Sequence, residues 1–232
     1  MAHGRRLRQN APMSRRSFDL TPELMLQAYR AGLFPMAETR DSKRLYWLDP
    51  DMRGILPLDA FHLSRRLLRS LRGGAYEVSV DTDFPGVIAA CAAASPVRAE
   101  SWINPQIEAL FTRLHQMGHA HSVECRQNGA LVGGLYGVKL GGAFFGESMF
   151  SRARDASKIA LVHLVARLRL GGFPLLDTQF VTAHLTQFGA IEIPRAAYHA
   201  RLAAAIAAPA RWLADCAADR LDAEFRAIAG HA

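Results

Sequence analysis

Cysteine is scarce: Cys91, Cys125 and Cys216 are the three among 232 residues. The number is odd and no C-x-x-C pair is present, so neither a disulfide framework nor a zinc site is expected, and a reducing cytoplasm fits best. No run of eighteen apolar residues exists, so no transmembrane helix and no membrane partner are expected. The basic start MAHGRRLRQNAPMSRRSF has no apolar stretch behind it and does not read as a secretory signal. Residues 1–17 read instead as a flexible basic arm. Glycine-rich phosphate loops and the G-x-S-x-G elbow are absent. His119 and His121 lie two apart on an expected strand, a spacing that is not by itself a zinc-ligand signature, so no metal is expected. Acidic residues are the minority, 21 against 28 Lys and Arg, giving a formal net charge of +7. That excess suits a polyanion such as nucleic acid, or simply a solvated basic surface.

The local signals are dense. Thr21-Pro22-Glu23 opens a helix with a cap, a first-turn proline and an acid, and Gly32 ends it. Leu45 to Leu48 reads as a strand and Asp49-Pro50-Asp51 as a turn. Residues 61–72 read as a basic amphipathic helix closed by Gly73-Gly74, Tyr76 to Val80 as a strand, and 84–94 as a short helix. Asn104-Pro105 starts a helix running to about Met117. From His119 the period becomes two: His121 to Arg126 and Ala130 to Val138 pair around Asn128-Gly129, and Ala143 to Phe150 follows. Asp155 is expected to cap a helix over 156–170, with strands at 174–179 and 191–194, a helix from about Thr182, and an Ala-rich helical remainder. The order predicts an α+β fold around a mostly antiparallel sheet. Residues 18–60 form a small N-terminal lobe in this reading, 61–205 the main domain and 206–232 a helical tail.

Chemistry concentrates in three places. Glu147 is a carboxylate inside the apolar strand FFGESMF; it is either a paired functional acid or a solvent-facing rim residue. Asp177 and Gln179, two apart at a strand end, face one side and can orient an incoming amine, or else cap the next helix. Arg65, Arg69 and Arg72 share one helix face and either track phosphates or stay solvated. Glycines within 131–138 mark close approach of backbone or ligand. Cys125, in mid-strand, is a possible nucleophile or plain core. Trp102 and Trp47 could stack on bases or pack in the core.

Several blocks in order, DLTPE, AYRAGLFP, YWLDPDMRGIL, SWIN, LVGGLYGV, FFGESMFS, GFPLLDTQ and HLTQFGAIEIPR, resemble the leucyl/phenylalanyl-tRNA–protein transferase family over roughly residues 19–199. The resemblance implies a GNAT-like catalytic domain with a small N-terminal α/β domain. It implies transfer of Leu or Phe, less readily Met, from aminoacyl-tRNA to acceptor proteins with N-terminal Arg or Lys, marking them for degradation. No cofactor and a monomer are expected. By motif, Asp177 and Gln179 handle the attacking amine, and Glu147 holds the donor or the cationic acceptor. Phe144, Met149, Leu176 and Leu135 line the aminoacyl pocket, Trp102 packs near the terminal adenosine, and Arg65, Arg69 and Arg72 meet the tRNA. Three positions depart from the family pattern. Only Asp19 remains of a Gly-Gly-Asp run, Met36 stands where a Trp often follows Phe-Pro, and Thr178 replaces a frequent Cys. The last change removes a thiol from the site and favours direct attack without an acyl-enzyme.

Two other classes stay open on the sequence. An acetyl-CoA-dependent acetyltransferase would want a glycine-rich loop where Arg152 to Lys158 has none. A non-catalytic RNA-binding module would explain the charge but not Glu147 or the Asp177–Gln179 pair.

Overall fold

The computed structural model describes residues 20–37, 39–42, 45–94 and 101–230. The expected arm at 1–17 lies outside them. The elements run α1 (Pro22–Arg30), β1 (Phe34–Ala37), β2 (Leu45–Leu48), β3 (Met52–Ile55), α2 (Arg65–Arg72), β4 (Glu77–Val80), α3 (Phe84–Ala92) and α4 (Pro105–Gln116). Then come β5 (Ala120–Gln127), β6 (Ala130–Leu140), β7 (Ala143–Ser151), α5 (Ala156–Leu170), β8 (Leu175–Gln179), α6 (Ala183–Thr186), β9 (Ile191–Pro194), α7 (Arg195–Ala207) and α8 (Ala218–Gly230).

Local chemistry explains most boundaries. Thr21 and Asn104 each accept a backbone N–H three residues on, with proline behind the cap. Asn128 and Gly129 both take positive φ, as a two-residue hairpin turn demands. Helix α2 begins later than expected because Ser64 caps it, accepting from the N–H of Leu67. Asp155 differs from the expectation: it sits in the left-handed region and makes no side-chain cap bond. The cap at that end comes from Ser151, whose hydroxyl accepts the N–H of Ser157.

Seven strands form one sheet in the order β4-β5-β6-β7-β8-β3-β9. All pairs are antiparallel except β7 with β8, which run parallel on either side of the α5 crossover. The α+β, mostly antiparallel expectation therefore matches the sheet. Strands β1 and β2 form a separate two-stranded ribbon. Strand β3 has no counterpart among the sequence expectations. It comes from the segment expected to form the N-terminal lobe, yet it lies between β8 and β9 in the large sheet.

Helices cover both faces. On one, α1, α3, α4 and α7 contribute Tyr29, Phe84, Phe111 and Tyr198 to a core that also takes Phe145. On the other, α5 is buried over most of its circumference beneath α2 and α8. Each fully buried apolar side chain there contributes about 1.5–3 kcal/mol. The segment expected to be a tail joins this core: Leu221, Phe225 and Ile228 of α8 are buried, and Arg169 pairs with Glu224. Ahead of α8, Trp212 stacks on His121 at 4.4 Å and on Phe144 at 5.5 Å, and its indole N–H donates to Asp81 at 2.9 Å. None of the helices among the described residues is long and apolar enough to cross a membrane.

Candidate active site

Strands β7 and β8 pair only from Ala143 beside Leu175 to Phe145 beside Asp177. Each carries an irregularity just past that point. On β7, Gly137 faces Gly146 and Tyr136 faces Ser148, so Glu147 is an extra, bulged residue. On β8, Ile55 faces Asp177 and Gly54 faces Gln179, which leaves Thr178 unmatched. Bulges bend a strand and re-aim its side chains. Between the two strands lies a cleft of about 440 Å³.

Its walls are apolar: Leu135 of β6, Met149 and Phe150 of β7, Leu161 and Leu164 of α5, Leu176 of β8 and Leu185 of α6. Phe34, Pro35 and Met36 of β1, Trp102 and Phe180 also line it. The polar lining includes Glu147, Ser148, Thr178, Gln179 and His184. A mostly apolar cleft with a few convergent polar groups is the usual form of a small-ligand site. Thr178 Oγ1, Gln179 Nε2 and His184 Nε2 are buried and have no partner among the described residues. Burial, then the charge of Lys158, lowers the His184 pKa, so its ring stays neutral.

Glu147 accepts a 2.6 Å hydrogen bond from the Tyr29 phenol of α1. Burial raises its pKa from 4.5 to about 8, against the lowering effect of the Tyr29 bond; the Asp177 charge adds to the rise and Arg53 opposes it. Glu147 is half-buried at the cleft and is paired, as one of the two sequence readings has it. The direct partner is a phenol, and Arg53 acts only as a nearby charge. Burial, then the adjacent Glu147, holds the Tyr29 phenol well above its ordinary range, so it remains a donor.

Asp177 is fully buried and stands behind the cleft rather than in its wall. Its Oδ1 accepts from Arg53 Nε at 3.0 Å and from the Gln179 backbone N–H at 2.8 Å. Its Oδ2 accepts from Arg53 Nη2 and from the Tyr198 hydroxyl, both at 2.6 Å. Arg53, on β3, is equally buried. Its guanidinium lies 4.4 Å from the ring centres of Phe34 and Tyr198, and Nη1 donates to the Gly32 carbonyl at 3.0 Å. Burial alone would lower the Arg53 pKa; the hydrogen bonds and charge of Asp177 outweigh it and raise it. A buried charge this far from water persists only when paired and hydrogen-bonded. Gln179 has φ of +57°, an uncommon conformation for a non-glycine residue, and it lines the cleft with its amide nitrogen buried and unpartnered among the described residues.

The structure thus brings Glu147, Gln179, Leu135, Met149, Leu176 and Trp102 to one cleft. Phe144 is a correction: it is absent from the cleft wall and lies fully buried against Trp212, in the stretch where β7 and β8 are still paired. Arg65, Arg69 and Arg72 are exposed on α2, away from the cleft lining. Cys125 is buried in β5, its thiol pushed up to about 12 by burial and then by Glu124, which leaves it inert core. Two glycines read as possible ligand contacts serve packing. A Cβ on Gly133 would strike Ala156 Cβ at 2.5 Å, and one on Gly137 would overlap the Phe145 carbonyl oxygen. Sequence reasoning missed Tyr29, Arg53 and Tyr198. The signal for Arg53 was a lone cation between Met52 and Ile55-Leu56, the same kind that exposed Glu147.

Residues 55–203 match the family model described as leucyl/phenylalanyl-tRNA protein transferase, and residues 18–51 match the model of that protein's N-terminal domain. A relative from Phenylobacterium zucineum named leucyl/phenylalanyl-tRNA–protein transferase is 60% identical over 190 residues, covering 82% of this chain and 86% of its own. One of the same name from Paramagnetospirillum magneticum is 62% identical over 188 residues, 81% of this chain and 90% of its own. Among solved structures, the C-terminal domain (DUF2156) of a putative lysylphosphatidylglycerol synthetase from Agrobacterium fabrum is similar at 16% identity. That likeness covers 69% of this chain and 52% of that one with a TM-score of 0.37, too distant to carry an argument. The chain belongs to the leucyl/phenylalanyl-tRNA protein transferase family and is an aminoacyltransferase that acts from tRNA onto proteins.

Proposed function

We propose that the chain transfers Leu or Phe, and less readily Met, from aminoacyl-tRNA to the N-terminal Arg or Lys of acceptor proteins, marking them for degradation. The observation that carries this reading is the cleft between β7 and β8: apolar walls suited to an uncharged donor side chain, closed by Glu147 and Gln179. In this reading Met149, Leu176 and Leu135 contact the donor, Trp102 packs near the terminal adenosine, and Glu147 helps hold the donor or the cationic acceptor. The exposed arginines of α2 meet the tRNA. The reading carries with it a cytoplasmic monomer that uses no cofactor. It also carries a GNAT-like catalytic domain over 61–205, supported by the parallel β7–β8 pair that parts after Asp177, with a small N-terminal domain over 18–60 that lends β3 to the catalytic sheet.

An aminoacyl ester is already activated, so positioning supplies much of the rate. The acceptor's α-amine, held by Gln179, attacks the ester carbonyl. A C–N bond forms, the bond to the tRNA ribose oxygen breaks, and the amine's proton ends on the departing 3′ hydroxyl. Backbone N–H groups where the strands part stabilise the oxyanion. The saturation of Asp177 by Arg53, Tyr198 and the Gln179 N–H supports a division of labour: Gln179 touches the amine and Asp177 orients Gln179. Threonine at 178 supports attack without an acyl-enzyme. An acetyl-CoA reading is disfavoured because the approach to α5, Arg152 to Lys158, has no glycine for a pyrophosphate-binding loop.

The test is transfer of radiolabelled Leu from charged tRNA to a protein beginning with Arg, beside the same protein beginning with Ala. Transfer to the first alone supports the reading. Equal transfer to both removes the acceptor specificity, and transfer to neither removes the donor as well.

A further inference from the structure

Arg53 is the largest fully buried side chain in the described structure, and the reaction outlined above does not use it directly. Its surroundings are more elaborate than neutralising one carboxylate requires. Nε and Nη2 grip the two oxygens of Asp177 as a fork. Nη1 is tied to the Gly32 carbonyl, and the guanidinium sits close to both the Phe34 and Tyr198 rings. The fork fixes the rotation of the Asp177 carboxylate. That rotation decides where Oδ1 stands, and Oδ1 accepts the N–H of Gln179. Gln179 needs the restraint: its φ of +57° is a strained conformation for a non-glycine residue and persists only when neighbours impose it. The same strand imposes it a second way. Gly54, next to Arg53, pairs with Gln179, and a Cβ there would meet the Phe180 carbonyl carbon at 2.7 Å.

We propose that Arg53 is a positioning residue for aminoacyl transfer: acting through Asp177, it holds the Gln179 backbone so that the carboxamide points into the cleft. The proposal rests on the reading that Gln179 handles the attacking amine. A lysine at position 53 keeps the positive charge but presents a single point donor instead of a fork, and so cannot hold both carboxylate oxygens. A purely structural ion pair would tolerate that change once the protein is folded; a positioning device would not.

The experiment measures kcat and KM for Leu-tRNA with a peptide beginning with Arg, in wild type, Arg53→Lys, Gln179→Ala and the double variant. The expected result for Arg53→Lys is a kcat lower by about 10- to 100-fold, the range that follows from misplacing a reacting group by about an ångström, with KM for the charged tRNA unchanged. The double variant is expected to be no slower than Gln179→Ala alone, because both changes act on one element. Wild-type kcat in Arg53→Lys, or losses that add in the double variant, overturns the proposal while leaving the role of Gln179 intact. Wild-type kcat in Gln179→Ala removes that role and this proposal together. Should Arg53→Lys not fold, Tyr198→Phe serves instead. It deletes one donor to Asp177 and keeps the ion pair, so a smaller kcat loss at constant KM supports the proposal and wild-type kcat overturns it.

Discussion

The Tyr29 phenol of α1 donates its hydrogen bond to Glu147 Oε1, so the first helix of the described chain reaches the bulge on β7. Burial, opposed by that bond, puts the Glu147 carboxyl at about 8 instead of 4.5. The folded protein therefore binds this proton more tightly than the unfolded chain does. The resulting stabilisation is complete below pH 4.5 and is lost as pH rises through about 8. Because the side chain also faces the cleft, the slope between those values is at most about 1.4 kcal/mol per pH unit. Urea unfolding followed across this window should show wild type losing stability with pH relative to Glu147→Gln. Parallel profiles for the two proteins would sink the assignment.

Met149 lines the cleft and is half-buried. Met149→Ala removes apolar surface that a Leu donor uses and an Ala donor does not. Each methylene of such a pocket is worth about 1–3 kcal/mol, so kcat/KM with Leu-tRNA should fall about tenfold or more while the slow reaction with Ala-tRNA stays put. An undiminished Leu-to-Ala ratio would mean the donor side chain lies elsewhere.

Exposed on α2, Arg65, Arg69 and Arg72 make no ion pair among the described residues. If each meets a phosphate, replacing all three with Gln reduces the slope of log affinity against log salt by about 0.7–0.9 for every phosphate no longer neutralised. Titration of tRNA at several salt concentrations reads this directly. An unchanged slope would return these residues to a merely solvated face.

Trp212 ties the segment before α8 to β5 and to the start of the turn after β4. Trp212→Ala removes both ring contacts and the indole bond, and should cost up to about 3–5 kcal/mol in chemical denaturation. Trp212→Phe keeps the stacking against His121 and Phe144 and should cost about 1 kcal/mol, the worth of one hydrogen bond. Equal losses in the two variants would show that stacking contributes little.

Much of the fold announces itself locally. Thr21-Pro22, Asn104-Pro105 and Asn128-Gly129 set their own backbone through caps and turn geometry, and the structure follows them. Strands β1 and β3 do not. Pro35 in the one and Gly54 in the other argue against strand. What makes β3 a strand is a place held open between β8 and β9, whose residues lie more than a hundred positions away. The same distance hides half the site. Glu147, Asp177 and Gln179 are legible as polar groups in apolar surroundings, but Tyr29, the partner of Glu147, and Arg53, the partner of Asp177, can be found only once the chain is folded. Phe144 misleads because strand periodicity predicts which side a ring faces and not what covers it. It lies where β7 and β8 are still joined, and Trp212 fills the space beside it.

The place of β3 has a consequence for biosynthesis. Arg53 leaves the ribosome 124 residues ahead of Asp177, its carboxylate partner at ion-pair distance among the described residues. Until then the cation has nothing to neutralise it in a dry interior, so the nascent chain is held in a solvated form up to that point. Locally closed pieces such as the β5–β6 hairpin are free to form early, while the sheet is completed only when β8 and β9 arrive to enclose β3. A ribosome that stops before residue 177 leaves a chain that cannot bury its own arginine, and so a truncated product is marked by an open sheet edge and an unfilled core.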